Sequence, residues 1–141
     1  MALNAWLVDT GPFVAYFDSS DPNHESVSER LDGFAGTLVT TDAVITEVMY
    51  FLSDTNGGPR AFAELLVAAD ARIVGSTQPR QLLDATKLMS RYADTPMDFA
   101  DATLVLAALD TGILDILTLD LRGFSTYVPA KGKRFQLVLK P

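Results

Sequence analysis

At 141 residues, 48% of them hydrophobic and 21% charged, the chain has the size and balance of one globular domain with a single core. It contains no cysteine, which excludes disulfides, thiolate nucleophiles and cysteine-ligated zinc. A formal net charge of −7 argues against a protein that coats nucleic acid by bulk attraction, but not against a nuclease whose acids are offset by bound cations.

The longest unbroken apolar run, Leu104 to Leu109, falls far short of the roughly 20 residues that span a bilayer. No basic region followed by an apolar segment precedes Asp9, so no signal peptide is expected and the cytoplasm is the expected compartment.

In chain order, Ala5 to Val8 reads as a strand that stops at Asp9-Thr10-Gly11-Pro12, with Pro12 suited to the first turn of a short helix through Phe17. The polar turn from Asp18 to Glu25 leads to a helix from about Ser26 to Phe34. Thr37 to Thr40 is a second strand, and a helix from about Ala43 to Ser53 is broken by Asn56-Gly57-Gly58. A helix from Pro59 to Ala69, a strand at Arg72 to Gly75 and a helix from Gln78-Pro79 to about Tyr92 follow. Pro96 to Thr111 is predicted as a helix with Thr95 as its cap. Ile116 to Leu119 makes a fourth strand and Phe135 to Leu139 a fifth, with Lys131 to Arg134 as a basic loop before the last. Short apolar strands alternating with helices predict an α/β domain: a mostly parallel sheet of about five strands covered on both faces, with sites at the strand carboxyl ends.

Five carboxylates then stand out. Asp9 ends the first strand, where a turn or helix cap competes with a ligand role. Glu47 lies at the margin of an apolar stripe formed by Val44, Val48, Phe51 and Leu52, where it is either a ligand or a side chain reaching out to water. Asp98 and Asp101 are separated by about 60° of rotation and roughly 4.5 Å of rise, so they share a helical face. At the third helical position Asp98 has a capping role, whereas Asp101, a turn further in and flanked by Ala100 and Ala102, is the better ligand. Asp120 closes the fourth strand, with a cap again the alternative. Carboxylates converging at one site would repel unless a cation or proton sat among them.

Oxygen-only donors suit Mg²⁺ or Mn²⁺, and two such ions about 4 Å apart can drive phosphodiester hydrolysis without histidine or cysteine. His24, in a polar turn, is assigned no role. The chain has neither a phosphate-binding glycine loop ending in Lys-Ser or Lys-Thr nor a G-x-S-x-G nucleophile elbow. An aspartyl-phosphate phosphatase would want an acid where Gly11 stands.

With these residues placed, four segments in order, LVDTGPFVAYFDSSDPNHE, TDAVITEVMYFL, MDFADATLVLAA and ILTLDLRGF, resemble the PIN-domain ribonucleases, most closely the VapC-type toxins of toxin-antitoxin pairs. The resemblance covers nearly the whole chain. It implies a three-layer αβα fold and metal-binding roles for Asp9, Glu47, Asp101 and Asp120, with Asp98 close by. Thr10 and Thr118 fall where the family often has a hydroxyl that orients an acid or water. It further implies Mg²⁺- or Mn²⁺-dependent endonucleolytic cleavage of RNA, one or two ions, a cognate antitoxin and a homodimer. Arg122, Lys131, Lys133 and Arg134 are candidates for phosphate contact, with solvated surface charge the alternative for each. Relatives frequently carry another acidic or polar residue near the position of Gly123. A non-catalytic module of the same fold and a DNA-directed nuclease are the competing readings.

Overall fold

Each connection between consecutive strands carries at least one helix, long enough to return the chain to the same sheet edge, so the strands can align in parallel. The computed structural model describes residues 4–75 and 78–140. Among these, the strands are β1 (Ala5–Val8), β2 (Thr37–Thr41), β3 (Arg72–Val74), β4 (Asp115–Leu117) and β5 (Gln136–Leu137). The helices are α1 (Thr10–Phe17), α2 (His24–Gly33), α3 (Asp42–Leu52), α4 (Gly58–Ala68), α5 (Pro79–Arg91), α6 (Phe99–Thr111) and α7 (Leu121–Thr126).

The strand order is β3-β2-β1-β4-β5, with every pairing parallel. Helices α1 to α4 pack on one another, as do α5 and α6; the right-handed crossovers general to parallel strands put helices on one face as the chain moves from β1 out to β3 and on the other as it returns. The direction of progress reverses between β1 and β4, where Leu7 pairs with Ile116 and Val8 with Leu117. Such a reversal opens a crevice beyond the strand carboxyl ends. Leu7, Val8, Val39, Ile116 and Leu117 have no exposed surface, which explains why these strands read as continuous apolar runs rather than alternating ones.

Helix α6 packs against α5, α3 and β2. Ala100, Ala102, Leu104, Val105, Ala107 and Ala108 are all buried, and the helix ends at Gly112, whose φ of 77° forms the left-handed cap that glycine accepts without strain.

Four expectations need correction. Helix α6 begins at Phe99, not Pro96, so Asp98 is its cap and Thr95 is not. Strand β4 ends at Leu117, so Asp120 lies three residues beyond it as the cap of α7. Strand β5 is only Gln136–Leu137. Phe51 is 57% exposed and leaves the α3 stripe, which is Val44, Val48 and Leu52 at a spacing of one turn.

Candidate active site

Asp9 follows β1 directly. Its backbone is extended and its Oδ1 accepts from the Thr10 backbone N–H at 2.8 Å, so the capping reading is correct as far as it goes. A cap, however, has no need of the second bond: Asp9 Oδ2 accepts from the hydroxyl of Thr118, just past β4, at 2.8 Å. The carboxylate is thus pinned across the β1/β4 crevice with both oxygens engaged. Burial pushes its pKa up to about 6, against the lowering effect of the bonds from Thr10 and Thr118; the charges of Asp98 and Glu47 push it further up.

Glu47 stands one residue before Val48 on α3 and is half-buried. It does not simply reach out to water: its Oε1 accepts from Thr10 Oγ1 at 2.6 Å. Thr10 therefore holds two acids at once, Asp9 through its backbone and Glu47 through its side chain.

Asp98 and Asp101 cap α6 reciprocally. Asp98 Oδ1 accepts from the Asp101 N–H at 2.8 Å, and Asp101 Oδ2 accepts from the Asp98 N–H at 3.2 Å. The expected division, with Asp98 as cap and Asp101 without a structural role, is replaced by a shared one. What separates them is environment. Asp98 is exposed, whereas Asp101 is half-buried, and its pKa is pushed up to about 8 by burial first and then by the charges of Asp9, Asp98 and Asp120.

Asp120 is exposed, and its Oδ1 accepts from the Gly123 N–H at 3.0 Å at the start of α7. Its own N–H donates to Thr118 Oγ1 at 3.0 Å. Thr118 thereby links Asp9 and Asp120 as Thr10 links Asp9 and Glu47.

Residues that no sequence pattern singled out complete the frame. Thr40 Oγ1 donates to the Val8 carbonyl at 2.9 Å, and the hydroxyls of Thr41 and Thr103 bond at 2.8 Å, tying the start of α3 to α6. The buried polar residues described are Asp9, Thr10, Thr40, Thr41, Thr103 and Thr118. All lie at, or bond directly to, the carboxyl ends of β1, β2 and β4. Buried polar groups cost free energy unless satisfied, and here they gather where the acids are. The only advance signal was the run of threonines at the end of β2. Tyr127, with no exposed surface, sits beside the acids, and burial together with the charges of Asp101, Asp120, Asp98 and Asp9 drives its phenol pKa upward.

The structure thus brings Asp9, Glu47, Asp98, Asp101 and Asp120 to one end of the sheet, close enough for their charges to act on one another. It does not present a ready-made cage: among the described residues no three acidic or histidine side chains are grouped to hold one ion. The acids therefore line one end of the sheet without forming a closed ligand cluster. The donor set still fits a hard divalent cation, since every group in it is a carboxylate or hydroxyl oxygen and the sequence has no cysteine. A cation would also offset the burial and the like-charge contacts that together raise the Asp101 pKa. His24 is not among these groups; its Nδ1 lies 2.8 Å from the Ala15 carbonyl.

Arg122 is exposed in the first turn of α7, two residues from Asp120. Lys131, Lys133 and Arg134 are exposed between α7 and β5, and Arg134 Nη1 reaches the Ser125 carbonyl of α7 at 3.4 Å.

Comparison with known proteins identifies the family and the fold. The PIN domain model matches residues 6–127. Ribonuclease VapC26 of Mycobacterium tuberculosis is 32% identical over 133 residues, which cover 94% of this chain and 98% of that protein. The crystal structure of Mycobacterium tuberculosis VapC20, described as a Sarcin-Ricin loop cleaving toxin, superposes with a TM-score of 0.72 at 19% identity, covering 88% of this chain and 97% of that one, which establishes the shared fold. The chain belongs to the PIN-domain family, in its VapC-type branch.

Proposed function

We propose that this protein is a metal-dependent endoribonuclease, the toxin of a toxin-antitoxin pair, that hydrolyses RNA with Mg²⁺ or Mn²⁺ held by Asp9, Glu47, Asp101 and Asp120, with Asp98 alongside. The observation that carries this reading is Asp9: a buried carboxylate at the sheet's topological switch point, fixed through both oxygens and near enough to Glu47, Asp98 and Asp101 for their charges to interact.

When bound, one or two such ions would supply an activated water and neutralise charge developing on the phosphate. The chain's own residues do the rest. Thr118 and the Thr10 backbone keep Asp9 oriented and ionised, and the Thr10 hydroxyl holds Glu47 beside it. The reciprocal cap fixes the Asp98 and Asp101 backbone at the start of α6, so one oxygen of each carboxylate remains free to face the crevice. Arg122, Lys131, Lys133 and Arg134 would take the RNA backbone, offering positive charge on an otherwise acidic protein.

Support for RNA as the substrate comes from VapC26, named a ribonuclease, and from VapC20, named as cleaving the Sarcin-Ricin loop. The naming of VapC20 as a toxin supports an antitoxin partner, and a homodimer acting in the cytoplasm belongs to the same proposal. The test is cleavage of matched single-stranded RNA and DNA by purified, antitoxin-free protein. RNA should be cut with Mn²⁺ and spared with EDTA, and DNA should be left intact. Equal cutting of DNA would replace the RNA reading with a DNA-directed one, and no cutting of either with Mn²⁺ would point to a non-catalytic module.

A further inference from the structure

Helix α7 is short, yet it supports one acid and touches the segment that leads to two others. Asp120 caps it, and the Gly123 N–H that receives this cap belongs to a residue with no side chain. A Cβ built on Gly123 would overlap Asp120 Oδ2, lie 2.9 Å from Asp120 Cγ and meet Tyr127 Oη at 3.0 Å. The Asp120 carboxylate and the Tyr127 hydroxyl therefore crowd onto the same bare Cα. Gly123 is helical with a negative φ, so its requirement for glycine comes from this close approach and not from backbone conformation.

The Tyr127 hydroxyl points onward. It donates to the Pro96 carbonyl at 2.9 Å, two residues before Asp98, and lies 3.5 Å from the Thr95 carbonyl. The ring is held edge-on between Tyr92 and Phe124, with centroids 5.0 and 5.2 Å away, and Tyr92 Oη accepts from the Val128 N–H at 3.0 Å. A rigid aromatic wedge thus joins the end of α7 to the approach to α6. No other hydrogen bond described crosses between residues 120–127 and the Thr95 to Asp98 segment.

We propose that Gly123 and Tyr127 are positioning residues that set the separation between the Asp120 carboxylate and the Asp98–Asp101 pair. Gly123 does so by leaving room for the carboxylate to lie across the first turn of α7. Tyr127 does so by holding the Pro96 carbonyl, and through it the capped start of α6, at a fixed distance from that turn. The inference rests on the metal-nuclease reading of these acids and adds to it which residues set their spacing.

Gly123→Ala and Tyr127→Phe, each compared with wild type for Mn²⁺ affinity by calorimetry and for melting temperature in EDTA, test this directly. Both variants should bind Mn²⁺ about tenfold more weakly, the scale seen when groups supporting metal ligands are removed. If the close approach at Gly123 served packing alone, Gly123→Ala would melt lower because its Cβ overlaps Asp120 Oδ2, yet would bind Mn²⁺ with wild-type affinity. Weakened Mn²⁺ binding in a folded Gly123→Ala protein would support the proposal, even if Tyr127→Phe failed to fold. Wild-type affinity in Gly123→Ala overturns it, while Mn²⁺ uptake by the wild-type protein leaves the metal-nuclease reading standing. If wild type itself takes up no Mn²⁺, that reading falls and this one with it.

Discussion

Thr118, with no exposed surface, donates its hydroxyl to Asp9 Oδ2 across 109 residues of sequence, and its own Oγ1 accepts the Asp120 N–H. One side chain thus serves the acids of β1 and of the loop after β4. Thr118→Val keeps the shape and deletes both bonds. Losing a hydrogen bond to a charged group costs about 1.5–3 kcal/mol, so RNA cleavage should fall by roughly tenfold or more. The bond from Thr118 lowers the Asp9 pKa, so its loss should also move the acid limb of the pH–rate profile to higher pH. A variant with wild-type rate and profile would show that the bond is incidental.

The pH dependence of stability follows from the two raised carboxyls. Asp9 and Asp101 hold protons more tightly folded, up to about 6 and about 8, than at their ordinary 3.8. The folded state therefore binds more protons than the unfolded chain between about pH 4 and pH 8, and stability must fall as pH rises through that window. In EDTA, the urea midpoint should be higher at pH 5 than at pH 8. Asp101→Asn should flatten this slope and raise the midpoint at pH 8, because it removes a like charge. A midpoint that rises from pH 5 to pH 8 would contradict the assignment.

The two acids of α6 should separate by substitution type. Asn caps a helix about as well as Asp, so Asp98→Asn should leave melting nearly unchanged, whereas Asp98→Ala should cost about 1 kcal/mol through the lost bond to the Asp101 N–H. Asp101→Asn should abolish cleavage, and Asp98→Asn should only weaken it. Equal catalytic loss from the two asparagine variants, measured at saturating Mn²⁺, would remove the distinction.

Much of this site was legible in the sequence because acids inside apolar segments are conspicuous. Asp9 after AWLV and Asp101 within FADATLVLAAL had to be explained, and the alternation of apolar strands with helices gave the parallel sheet. The α6 boundary was not legible, because Pro96 and Thr95 satisfy the usual start signals as well as Phe99 and Asp98 do. Once the helix starts at Phe99, both acids become caps, and burial rather than capping ranks them. Apolar spacing on α3 admits two stripes, one of them including Phe51, and only packing selects Val44, Val48 and Leu52. The threonine frame and Tyr127 depend on contacts between distant segments, such as Thr41 with Thr103, which no local pattern encodes.

Phosphate contact by the exposed basic residues has its own signature. Arg122→Ala should raise KM for RNA with little change in kcat and reduce the magnitude of the salt dependence of binding by about one charge equivalent. The same result is expected for Lys131→Ala if the loop before β5 meets the RNA. A fall in kcat at unchanged KM would place Arg122 at the reacting phosphate instead.

The most direct test of the central claim is a Mn²⁺ titration by calorimetry of EDTA-treated, dialysed wild-type and Asp9→Asn proteins, with RNA cleavage followed in the same samples. The wild-type protein should take up Mn²⁺ and cut. The Asp9→Asn protein, folded by circular dichroism, should bind at least about tenfold more weakly and fail to cut. Cleavage by wild type with all divalent metal chelated, or Mn²⁺ uptake and cutting by Asp9→Asn equal to wild type, would contradict the account.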